Sequence, residues 1–263
     1  MTITAMNVLI VYAHPEPKSF NAALRDVAVS RLKQLSHSVQ VSDLYEANFN
    51  PVAGPGDYVE RANLEQYEYR TEMKHAMRGT GYVSEIEAEQ EKLRWCHGLI
   101  LQFPMWWFGL PAILKGWVDR VMTYGFGYAP GQKFEAGLLN GRRALVSVTT
   151  GAHAHVLAPD SMDGDIHRLL WPIQNGVLRY VGFDVLPPFI AHGIGLIDEV
   201  ARVKTLRDYQ FRLERFWTDE PLFFHPLSDY GEDQRLRRGV VARTTFQWNP
   251  QEGETQDCDT CDG

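Results

Sequence analysis

The chain has 263 residues, of which 44% are hydrophobic and 22% charged, with 22 Gly and 14 Pro. That is the length of one large domain, or of one domain with a tail, and the composition excludes a disordered or fibrous protein. With 26 Lys+Arg against 33 Asp+Glu, the formal net charge of −7 has the wrong sign for a polyphosphate duplex, so no nucleic acid partner is expected.

The three cysteines, Cys96, Cys258 and Cys261, are too few for a disulfide framework, which favours a reducing compartment. No apolar run approaches a membrane span, and Met6 to Ala13 lacks the basic flank and cleavage site of a signal peptide. The expectation is a cytoplasmic protein.

The first element is a strand over Asn7–Ala13, a nearly continuous apolar run of the kind that is covered on both faces. Ser19 can then cap a helix that runs to Leu35, with Ala23, Val27 and Leu32 pointing inward. Further strands are predicted at Ser38–Leu44, Gly98–Phe103, Arg143–Thr149 and Phe183–Ile190, and helices at Glu85–Trp95, Leu110–Tyr124, Ile166–Tyr180 and Glu199–Trp217. Pro172 should bend or restart the third of these helices. Such alternation predicts an α/β fold, a parallel sheet with helices on both faces, because parallel strands need long crossovers. Between Pro51 and Thr80 periodicity fades and the segment reads as a long insertion. Beyond Pro226 the chain turns polar and ends acidic, so residues 1–226 form the predicted domain and 227–263 a polar extension.

In an open parallel sheet ligands bind beyond the carboxyl ends of the strands. Three loops there carry signals. His14–Asn21 (HPEPKSFN) opens a helix whose free N–H groups suit a phosphate, the alternative being a plain capped helix. Gln102–Pro111 (QFPMWWFGLP) sets Trp106, Trp107 and Phe108 at a strand end, for a flat aromatic ligand or for packing under loops or another subunit. Thr149–Ala152 (TTGA) places Gly151 where backbone can approach a ligand closely. A phosphate end and a planar aromatic end together fit a flavin nucleotide. No G-x-G-x-x-G or P-loop pattern is present, against a kinase or a Rossmann dehydrogenase.

The segments FPMWWFGLPAILKGWVDR (103–120), ALVSVTTG (144–151), LWPIQNG (170–176) and the opening AHPEPKSFN resemble the NAD(P)H:quinone oxidoreductase (DT-diaphorase) family of flavodoxin-like flavoproteins, over roughly Asn7 to Pro226. The resemblance implies a doubly wound five-stranded parallel sheet in the order 2-1-3-4-5, a homodimer with the pocket at the subunit interface, and one FAD per subunit. It also implies two-electron reduction of quinones, or similar planar acceptors, by NADH or NADPH. Carried over by position, His14, Ser19, Phe20 and Asn21 match the diphosphate loop, and Gln66 lies near a flavin-contacting glutamine. Pro104, Met105, Trp106, Trp107 and Phe108 would run beside the isoalloxazine, with Trp107 and Phe108 also walling the substrate pocket. Thr149, Thr150, Gly151 and Ala152 would meet the pyrimidine edge, and Arg202 and Leu206 the adenine end, which favours FAD over FMN. Tyr128 and Tyr180 correspond to aromatics that close the pocket from the other subunit.

Two family residues, a Tyr and a His that help stabilise charge on the reduced flavin, align with Leu157 and Asp163. His153 and His155 are the nearest substitutes, and His155 is taken with Gly151 as the catalytic candidate. The positions of a family metal site are Asn175 and Arg179 here, so no metal is expected; the Cys258/Cys261 pair lacks the second pair that a zinc site needs. The leading expectation is a ping-pong flavoenzyme in which nicotinamide and acceptor share one slot. The alternative is a flavin-binding regulatory or electron-carrying subunit serving a protein partner.

Overall fold

A computed structural model describes residues 5–244, which fall into two units that meet at Leu222/Phe223, slightly ahead of the expected boundary. In the first unit six strands form a parallel sheet: β1 (Asn7–Tyr12), β2 (Ser38–Asp43), β3 (Gly98–Pro104), β4 (Arg143–Thr149), β5 (Asp184–Val185) and β6 (Phe189–Ala191). Their order is β2-β1-β3-β4-β5, and β6 also pairs with β4. All seven residues of β3 are buried, as a central strand covered on both faces requires.

The helices are α1 (Phe20–Gln34), α2 (Tyr69–His75), α3 (Ser84–Trp95), α4 (Ala112–Val121), α5 (Ile166–Ile173) and α6 (Glu199–Glu214). Helices α1 and α6 pack together over Val8, Ile10, Ile100 and Leu145, sending Leu24, Leu32 and Leu213 into one cluster that Phe216, just past α6, completes. Because successive strand residues face opposite ways, Leu9, Val11, Leu99 and Val146 are left for the layer to which α3 and α4 belong, and they too are buried.

The structure differs from the expected elements in three places. The fifth strand is split in two, because Pro187 and Pro188 have no N–H to give to a ladder; Asp184–Val185 pairs the start of β4 and Phe189–Ala191 its end. The third crossover helix is α-helical only to Ile173 and continues over Gln174–Arg179 as a wide turn of π type, just past Pro172. The insertion holds α2, capped by the Glu68 carboxylate on the N–H groups of Arg70 and Thr71. A buried cation, Arg120, anchors the segment before it: the guanidinium pairs with Asp57 at 2.8 Å and Glu85, and donates to the Asn50 carbonyl at 2.6 Å. Gly116 allows this crossing, since a Cβ there would lie 2.1 Å from the Pro51 carbonyl oxygen.

The second unit, as far as Thr244, contains a short helical turn at Leu227–Asp229 and a bridge between Tyr230 and Leu236. His225 bonds Asp229 at 2.8 Å through Nδ1 and accepts the Arg243 N–H at Nε2. Cys258 and Cys261 lie outside the described residues.

Candidate active site at the carboxyl ends of the strands

Parallel register brings the three signal-bearing loops level. Tyr12 sits opposite Gln102, and Pro104 opposite Thr149, which in turn faces Ala191. Pairing continues past the strands: Ala13 N–H reaches the Gln102 carbonyl, Met105 N–H that of Thr149, and Thr150 N–H that of Ala191.

In the first loop Ser19 accepts the Ala22 N–H at 3.1 Å and lies 3.4 Å from the Tyr12 hydroxyl. The Glu16 carbonyl takes the Ser19 N–H, and the His14 ring takes that of Glu16. Among the described residues the Phe20 and Asn21 N–H groups find no acceptor, so the start of α1 presents two unsatisfied donors at its positive end. The Asn21 side chain is buried and committed elsewhere. Its amide nitrogen donates to Thr149 Oγ1 at 2.7 Å, and its oxygen accepts from Gln102 at 2.8 Å. Phe20 lies under the Arg202 guanidinium, 5.9 Å from ring centre to Cζ, and Leu206 packs against the same cluster. Arg202 is steadied by the Ile194 carbonyl at 2.8 Å.

The second loop is a two-residue hairpin. Trp106 and Gly109 exchange both backbone hydrogen bonds, leaving Trp107 and Phe108 at the tip with φ of 49° and 58°. Such turns favour Asn-Gly, because both central residues are left-handed; each bulky residue held there is strained by roughly 1–3 kcal/mol. Among the described residues nothing compensates by covering them: Trp107 is 97% exposed and Phe108 49%. Trp106 faces the first loop, its ring 6.0 Å from that of His14.

In the third loop Thr149 and Thr150 are buried, and Thr150 Oγ1 donates to the Ala152 carbonyl at 2.8 Å. The N–H groups of Gly151 and Ala152 have no acceptor among the described residues, and a Cβ added to Gly151 would meet nothing within 4 Å. Across this open space a cleft of about 240 Å³ is lined by Trp107, Phe108 and Met105 on one side and by Thr150, Gly151, Ala152, Leu157 and Asp163 on the other.

Sequence-derived candidates outside this cluster are placed as follows. His155 is exposed, stacked on His153 with ring centres 5.7 Å apart, and does not line the cleft; Leu157 and Asp163 do. His153 is held over Gly193. Gln66 is exposed, its backbone bonded to Asn63 and Arg61 within its own loop. Tyr128 and Tyr180, 5.8 Å apart, border a separate cavity of about 220 Å³ beside Tyr69 and Met122.

Two polar residues of this region have no motif to announce them. Gln102 is one, and its position in a wholly apolar run was the available signal. His192, the first residue after β6, lies 3.4 Å from Thr150 Oγ1; burial, then the nearby His167, lowers its pKa below the ordinary histidine value.

A family model described as a flavodoxin-like fold matches residues 6–213. The rat protein NAD(P)H dehydrogenase [quinone] 1 is 41% identical over 240 residues, 91% of this chain and 87% of that one. Human ribosyldihydronicotinamide dehydrogenase [quinone] is 42% identical over 216 residues, 82% of this chain and 94% of its own. The chain belongs to the flavodoxin-like quinone dehydrogenase family. A solved structure from Klebsiella pneumoniae, assigned as a quinone reductase, superposes on this family member with a TM-score of 0.87 at 36% identity, covering 92% of this chain and 97% of that one. Among the described residues of this flavodoxin-like protein no helix is long and apolar enough to cross a membrane.

Proposed function

We propose that this chain is an NAD(P)H-dependent quinone reductase that holds FAD across its three loops and passes a hydride to quinones or similar planar acceptors. The carrying observation is the convergence of a strained, uncovered aromatic hairpin with the empty approach over Gly151. The residues present fit a flavin. The unsatisfied N–H groups of Phe20 and Asn21 suit a diphosphate, and the space at Gly151, where a side chain would intrude, suits a ring edge. Phe20, Arg202 and Leu206 form a half-buried shelf that would hold an adenine, which supports FAD over FMN. The rat and human relatives are named for NAD(P)H and for ribosyldihydronicotinamide, and both for quinones.

When bound, the flavin supplies the hydride chemistry, accepting from a nicotinamide and giving to the acceptor. The chain's own residues bind, orient and exclude water. Trp107 and Phe108 offer flat apolar area for either planar substrate, so donor and acceptor occupy one slot in turn, as a ping-pong scheme requires. The free N–H groups of Gly151 and Ala152 are fixed donors for negative charge at the ring edge, the task for which the family uses its Tyr and His. Tyr128 and Tyr180, outside the cleft of their own chain, would close that of a second copy in a homodimer.

The purified protein is expected to show a flavin absorbance spectrum, to release FAD on heating, and to oxidise NADH or NADPH with a free quinone. A colourless protein that takes up neither FAD nor FMN would overturn this reading.

A further inference from the structure

The cleft wall opposite Trp107 and Phe108 carries one charge. Of the residues that line it, Gly151, Ala152 and Leu157 are apolar, Thr150 has its hydroxyl turned to the Ala152 carbonyl, and Asp163 alone is ionisable. Asp163 is half-buried, and among the described residues it has neither a hydrogen-bond partner nor an ion-pair partner.

Its position is built rather than incidental. The Ser161 hydroxyl ties the loop to the Val156 and Ala158 carbonyls at 2.5 and 2.8 Å. Gly164 then turns the chain at φ 79°, with its N–H on the Ser161 carbonyl. Next, Asp165 caps α5 on the His167 N–H. The carboxylate is therefore held at the mouth of an aromatic slot with no cation paired to it among the described residues. Low-dielectric walls on either side lengthen the reach of its field.

We propose that Asp163 makes this slot select planar acceptors by charge, favouring those that carry a cationic substituent and rejecting those that carry an anionic one. The inference rests on the reductase reading above for its substrate class. One unit charge acting across a few ångströms of partly desolvated space corresponds to a discrimination of about tenfold for each sign.

The test uses three 1,4-naphthoquinones, one with a quaternary ammonium group, one unsubstituted and one with a sulfonate. Each is compared between the native holoenzyme and Asp163→Asn, at saturating NADH. Taking the ratio of variant to native for each acceptor cancels their different reduction potentials. Relative to the unsubstituted parent, the variant is expected to raise kcat/KM for the sulfonate about tenfold and to lower it several-fold for the ammonium compound. Asp163→Glu, which keeps the charge, should retain the native preference, and added salt should narrow that preference in the native enzyme.

Calorimetric titration of the same three compounds in the absence of NADH supplies a reading without turnover. A charge preference in binding together with no turnover of any quinone would overturn the reductase reading and leave the selection by Asp163 standing. Turnover of all three that changes in parallel, or not at all, in Asp163→Asn would overturn the proposal and leave the reductase reading standing. Failure of all three to bind and to turn over would overturn both.

Discussion

Asn21 and Thr149, 128 residues apart, are joined by a buried 2.7 Å hydrogen bond from the Asn21 amide to the Thr149 hydroxyl. Gln102 closes the chain from the other side, so α1, β3 and β4 are pinned together immediately beneath the candidate site. Asn21→Ala would strand both partners without a hydrogen bond, and the expected loss is about 2–4 kcal/mol in chemical denaturation. Asn21→Leu should be no better. A loss under about 0.5 kcal/mol would show that this staple does not organise the loops.

Gly151 separates stability from ligand binding. Since a methyl group there meets nothing within 4 Å, Gly151→Ala should leave unfolding free energy within about 0.5 kcal/mol of native. If a flavin edge fills that space, fluorescence titration of the apoprotein should show affinity weakened at least tenfold. Unchanged affinity would mean that the ring lies elsewhere.

The hairpin tip carries strain that no packing among the described residues repays. Replacing Trp107 and Phe108 by Asn-Gly removes two unfavourable backbone conformations and little packing, because Trp107 is almost wholly exposed. Thermal unfolding should therefore show the double variant stabilised by roughly 1–3 kcal/mol, while KM for quinone rises steeply.

His192 sets a pH dependence. Burial lowers its pKa, as burial also does for His37, so the folded protein resists the proton that the unfolded chain accepts. The contribution is whole above the ordinary histidine value of 6.5 and is lost as pH falls below it through the folded pKa. Denaturation midpoints should accordingly fall on acidification from neutrality, and His192→Asn should flatten that limb. An unchanged slope would exclude His192 as its source.

His155 offers a negative control. It is exposed and outside the cleft lining, so His155→Ala should leave quinone turnover and the rate of flavin reduction within about twofold of native. A large loss would return the charge-stabilising role to this ring.

Local pattern determined much of this protein. The apolar runs Asn7–Ala13, Gly98–Phe103 and Arg143–Thr149 read as buried parallel strands, and Ser19 after a proline-rich turn reads as the cap of a helix, as the structure has them to within a residue. From those elements alone, the three loops of the candidate site follow. Tertiary structure decided what adjacency in sequence cannot encode. The split of the last strand at Pro187 and Pro188 depends on which stretches of β4 remain to be paired. The left-handed turn at Trp107 and Phe108 runs against their own preference and is held by the paired Trp106–Gly109 hydrogen bonds, with Met105 before it tied to Thr149 of β4. Likewise, Asp163 rather than His155 lines the cleft because the Ser161 and Gly164 turn folds that loop back. A backbone reversal of this kind, closed by hydrogen bonds within its own loop, leaves no period in the chain.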